Sequence, residues 1–97
     1  MPAPEQVNTG KFTVVDVLFN QDDFSVAHGI WNDNDDHVIG MRWNDGEDGN
    51  GYPKAFGNPQ WFIVSSDIAR NVLSGLLTHP SLSVQENQAI LKALKHF

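Results

Sequence analysis

The chain has 97 residues, a formal net charge of −6, 40% hydrophobic and 19% charged residues, three Trp, one Tyr, six Phe and no cysteine. That describes one small domain with a single core, burying about 60–65% of its unfolded surface, and too apolar to stay disordered. The missing cysteines exclude disulfides, thiolate metal sites and a cysteine nucleophile.

The charge is unevenly placed. Asp22, Asp23, Asp33, Asp35, Asp36, Asp45, Glu47 and Asp48 face only Arg42 within residues 22–48, so that segment carries −7 and the remainder +1. Such a surface repels a phosphate backbone, which argues against nucleic acid as a partner. A basic protein partner or a cation has the matching sign. No apolar run approaches the ~20 residues of a spanning helix. "MPAPEQVNTG" also lacks the basic start and apolar stretch of a signal peptide. The expectation is a cytoplasmic protein with no membrane contact.

Residues 1–10 read as a flexible leader, and residues 11–97 as one domain. "KFTVVDVLF" (11–19) is β-branched and aromatic, a strand with Phe12, Val14 and Leu18 on one face and Val15, Val17 and Phe19 on the other. Asp16 interrupts the first face, so the second is taken as the core side.

"FSVAHGIW" (24–31) and "HVIGMRW" (37–43) flank "NDNDD" and form a hairpin. A two-residue turn at Asn34–Asp35 pairs Trp31 with Val38, Ile30 with Ile39, Gly29 with Gly40, His28 with Met41 and Val26 with Trp43. One face then collects Phe24, Val26, His28, Ile30, Ile39, Met41 and Trp43. Ser25, Ala27, Arg42 and both glycines go to the other, with Trp31 and Val38 near the turn.

"WFIV" (61–64) is a short apolar strand. A helix near 66–78 follows, capped by Ser65 or Ser66, with Ile68, Val72, Leu73, Leu76 and Leu77 as its stripe. Thr78, His79 and Pro80 end it. "SVQE" (83–86) is a capping box opening a second helix near 83–96, whose buried side is Val84, Ile90, Leu91, Leu94 and Phe97. Four strands followed by two helices predict an α+β fold: a four-stranded antiparallel sheet with both helices on one face.

Between the third and fourth strands lies "WNDGEDGNGYPKAFGNPQWF". Neither it nor the segment from Asp33 has an EF-hand's ligand spacing. No Gly-rich phosphate loop precedes a helix. Pro53 and Pro59 among the glycines favour an ordered loop, with Tyr52 and Phe56 docking back on the sheet. "RWN" (42–44), "GYP" (51–53) and "GNPQWF" (57–62) resemble small bacterial proteins of uncharacterised function, some carried on integron-type mobile gene cassettes. The resemblance covers about twenty central residues; it implies a bacterial source and carries over no site.

His28 and His37 are read as lying on opposite hairpin faces, which disfavours a shared metal. His28 reads as a core histidine, and His79 and His96 as helix-end residues placed by the dipole. Asp16 with His28 is the carboxylate–imidazole pair to consider for proton transfer. Ser65 and Ser66 lack a nucleophile elbow's glycines, so N-capping explains them. No catalytic residue, metal or cofactor is expected. Trp31, at the hairpin tip beside Asp33, Asp35 and Asp36, has the make-up of an interaction edge; the plainer account is a small core with too few places for three indoles.

The favoured function is a non-enzymatic interaction or regulatory accessory module, self-associating as a homodimer and offering that acidic edge to a basic protein. The alternative is a small-molecule-binding protein or enzyme, its pocket lined by His28, Trp43, Tyr52, Phe56 and Trp61 between the sheet and the 44–58 loop.

Overall fold

The computed structural model describes residues 3–8, 11–32, 35–46, 49 and 51–97. Its strands are β1 (Phe12–Gln21), β2 (Phe24–Trp31), β3 (Asp36–Trp43), β4 (Lys54–Ala55), β5 (Asn58–Pro59) and β6 (Phe62–Val64), and its helices α1 (Ser66–Leu76) and α2 (Val84–Leu94). A four-stranded antiparallel sheet runs in the order β1-β2-β3-β6, and β4-β5 make a separate two-stranded ribbon. Both helices pack on one face of the larger sheet, the α+β arrangement that the pattern of elements predicts.

The hairpin register differs from expectation by two residues. Trp31 pairs with Asp36, Ile30 with His37, His28 with Ile39, Val26 with Met41 and Phe24 with Trp43. The connection therefore spans the four residues 32–35, of which 33 and 34 lie outside the described residues. Side chains alternate with period two, so a shift of two leaves Phe24, Val26, Ile39 and Met41 on the one face expected for them. Val26 and Ile39 lie in the helix-side core with Leu18, Phe19, Val64, Ala69, Leu73, Ile90 and Ala93.

β1 departs from strict alternation. Its register against β2 slips between Val14 and Asp16 and again between Val17 and Phe19. Each bulge adds one residue and reverses the faces beyond it. Val15 is exposed, while Leu18 and Phe19 both enter the helix-side core. Neither alternating set is the core side along the whole strand. The first bulge also brings Asp16 opposite His28.

The sheet's second face is covered as well. Val7, Phe12, Ala27 and Trp61 form a second buried cluster, with Val14, Trp31, Val38 and Ile63 against it. The Trp61 indole N–H donates to the Val7 carbonyl at 2.6 Å, and the Val14 amide donates to the Asn8 side chain at 2.7 Å. Over residues 3–8, the segment expected to be a flexible leader is thus packed on the sheet. Gly29 and Gly40 permit this close approach. A Cβ on Gly29 would lie 2.5 Å from the Phe12 ring and 2.6 Å from the Thr13 carbonyl oxygen.

α1 is capped by Ser65, whose side chain accepts from the Asp67 amide at 3.3 Å. α2 carries the complete Ser83–Glu86 capping box. Glu86 does more than cap: its carboxylate also accepts from the Asn20 amide at 3.0 Å and the Gln21 side-chain amide at 2.8 Å. Partial burial pushes the carboxyl's pKa up, but the hydrogen bonds from Ser83, Asn20 and Gln21 outweigh it and hold the pKa below the ordinary value.

Gly29→Ala should destabilise the fold by about 2–4 kcal/mol, because the added methyl overlaps a ring and a backbone oxygen. Gly75→Ala, in α1 with open space around it, should be neutral or stabilising by up to about 1 kcal/mol. Urea midpoints of the two variants against the parent check both signs.

Candidate functional site

Residues 37, 39 and 41 share one face of β3, and 28 points to that face from β2, since strand side chains alternate. His28 and His37 therefore lie side by side, not on opposite faces. Their ring nitrogens, His28 Nε2 and His37 Nδ1, are 2.8 Å apart. The end of α2 adds a third imidazole. The His96 ring stacks on His37 with centroids 3.8 Å apart and planes 12° apart, and lies 5.1 Å from the His28 ring. Phe97 packs edge-on to His28 at 5.9 Å.

One ligating nitrogen from each of the three histidines can be chosen so that all lie within 4.8 Å of one another. They run from buried His28, through half-buried His37, to exposed His96. The three share a small cavity of about 150 Å³ with Val15, Asp16, Ala89, Lys92 and Ala93. Asp16 thus does stand beside His28, as the carboxylate–imidazole pairing required. Burial, then the neighbouring charges of His37 and His96, pushes the His28 pKa down from 6.5 to about 4. At neutral pH this ring is uncharged and offers a lone pair.

The residues expected to form an interaction edge are divided. Trp31 is half-buried against the second core. Asp35 and Asp36 are exposed and line an open cleft of about 640 Å³ with His37, Ser65, Ser66 and His96. Asp33 lies outside the described residues. The five residues of the expected pocket do not converge either: His28 belongs to the histidine cluster and Trp61 to the opposite core.

Trp43 and Tyr52 of that set do share a groove. It holds about 260 Å³ and is lined by Phe24, Met41, Arg42, Trp43, Tyr52, Pro53 and Phe62. Trp43 exchanges backbone hydrogen bonds with Tyr52 at 2.7 and 3.0 Å, and meets Phe24 edge-to-face at 4.8 Å. Behind the groove Asp23 ties down Asp45 and Gly46, its carboxylate accepting from their amides at 2.8 and 3.1 Å. Its aromatics do not fold back as expected. Tyr52 is 65% exposed and Phe56, at the left-handed tip of the β4-β5 ribbon, is fully exposed. Trp43 and Phe62, at 48% and 62% exposure, complete an aromatic surface in water.

His96 is not among the partners expected for His28 and His37. The parity of residues 28 and 37 was a usable signal for two of the three rings; only helix docking supplies the third.

No family model, curated protein or solved structure compared with this chain matches it.

In metal-free protein, the His28 shift makes stability depend on pH. Unfolded His28 takes up its proton near the ordinary value of 6.5, folded His28 only near 4. Between those values the unfolded state binds more protons, so stability is lost as pH falls. The urea midpoint should drop across this window, and His28→Gln should show a shallower drop. Equal slopes for the parent and variant would contradict the assignment.

Proposed function

We propose that this chain is a non-enzymatic interaction module that holds a basic, partly apolar segment of another protein in the groove between β2, β3 and the 44–58 loop. The observation that supports the reading is the groove itself: Phe24, Trp43, Tyr52 and Phe62 line it, and the last three are largely in water. Exposed aromatics gathered at one place are the composition of a binding hot spot. Asp22 and Asp23, exposed in the turn just before Phe24, add the negative charge that a Lys or Arg side chain over an aromatic face would meet.

This moves the contact from the Trp31 tip to the opposite end of the hairpin, because Trp31 is taken up by the second core. Phe56 supports the reading further. It occupies a left-handed turn position with φ 52°, and is fully exposed. A bulky residue there has a backbone cost and no packing gain within the chain.

A metabolite pocket is less well supported. The groove is shallow and open, below the roughly 300–1,000 Å³ of sites that enclose most of a small ligand. Self-association through the same aromatic surface is the competing occupant, and a bacterial, cassette-borne source remains part of the proposal.

Selection from a displayed random-peptide library, with the intact protein as bait, tests the occupant. Basic peptides carrying an apolar residue should be enriched, and should bind more weakly as salt rises. Trp43→Ala should reduce capture by tenfold or more, the roughly 1.4 kcal/mol that one anchor is commonly worth. Enrichment of acidic or uncharged peptides, or capture indifferent to Trp43→Ala, would overturn the reading. Light scattering at tens of micromolar should give a monomer mass; a dimer lost in Trp43→Ala would replace the foreign partner with a second copy.

A further inference from the structure

We propose that His28, His37 and His96 form a binding site for one first-row divalent cation, Zn²⁺ foremost, held by three imidazoles with a coordination position left open. The site is separate from the aromatic groove and does not depend on it.

Donor chemistry narrows the ion. Three imidazole nitrogens without a thiolate suit Zn²⁺, Cu²⁺, Ni²⁺ and Co²⁺, whereas Ca²⁺ and Mg²⁺ require oxygen cages. Geometry is close to what such an ion needs. Nitrogens bound to tetrahedral zinc at ~2.0–2.1 Å stand ~3.3 Å from one another. Here one pair is at 2.8 Å and the whole set lies within 4.8 Å. Loading the site needs ring movements of about an ångström, together with separation of the stacked His37 and His96 rings.

The burial gradient suits that movement. His28 is only 4% exposed, and β2 and Phe97 hold it as the fixed ligand. His96 is exposed just past the end of α2, so its ring can turn inward. The shared cavity of about 150 Å³ accommodates an ion and a water but no metabolite. Asp16 and Lys92 line the same cavity. The carboxylate can accept a hydrogen bond from a metal-bound water, and Lys92 is the opposing charge that the ion must tolerate.

Titration of tag-free, chelator-stripped protein with Zn²⁺, followed by calorimetry and thermal unfolding, is the direct test. One ion per chain and a raised Tm are expected, and Co²⁺ should develop the visible absorption bands of a four-coordinate site. His37→Gln and His96→Gln each remove a ligand at little cost to folding, and each should weaken Zn²⁺ binding by about tenfold or more. His79→Gln, which removes the one histidine outside the cluster, should leave binding unchanged. No saturable binding at submillimolar Zn²⁺ would overturn the site. So would binding that survives both cluster substitutions, or Co²⁺ that Ca²⁺ displaces, because either result places the ion on the acidic loops.

Discussion

The docking of α2 on the β1-β2 end of the sheet is the contact on which the molecule's chemistry depends. Glu86 joins two parts of the chain through one carboxylate: the start of its own helix at Ser83, and the end of β1 through the backbone of Asn20 and the side chain of Gln21. Charge-assisted hydrogen bonds of this kind are stronger and more directional than the apolar contacts around them. They therefore fix where along the sheet the helix begins. Ile90 and Ala93, buried in the helix-side core, fix its rotation. α2 ends at Leu94, eight residues or about 12 Å of helical rise beyond Glu86, and just past that end His96 meets the His28–His37 pair.

The second constraint is that β2 is covered on both sides. On one side it meets the helices, and on the other it meets residues 3–8, Phe12 and Trp61. Gly29 and Gly40 make room for that second layer, because side chains there would collide with Phe12 or crowd Trp61. A buried polar network accompanies it: Ser25 donates to the Asn44 side chain at 2.8 Å, and the Asn44 amide donates to Asn20 at 3.0 Å. Arg42 is also buried on this side, donating to the Gln60 carbonyl. Burial lowers its pKa, and Asp23 partly opposes that shift. Polar groups satisfied in this way tie the 44–46 loop to the sheet, and so hold Trp43 and Tyr52 where the groove needs them.

Two surfaces result, of different character. The aromatic groove is open and apolar, and the proposed protein contact rests on it. The histidine cluster is small, polar and graded from buried to exposed, suited to an ion. Among the described acidic residues, Asp23 ties down Asp45 and Gly46, and Asp35 and Asp36 border the cleft beside His37 and His96.

Local features were legible in the sequence because local physics produces them. Strand and helix positions, the Ser83–Glu86 box and the shared face of Phe24, Val26, Ile39 and Met41 follow from capping chemistry and side-chain periodicity, which act within a few residues. The register of β2 on β3 was not legible, since the length of the turn decides it and a shift of two leaves the apolar pattern unchanged. Nor were the β1 bulges, which reverse the faces of Val15 and Leu18 without a mark in composition. The meeting of His28 and His37 was contained in the alternation of the strands; their meeting with His96 was not. That third contact is decided by how a helix packs across the sheet, and no spacing along the chain records a distance set by tertiary packing.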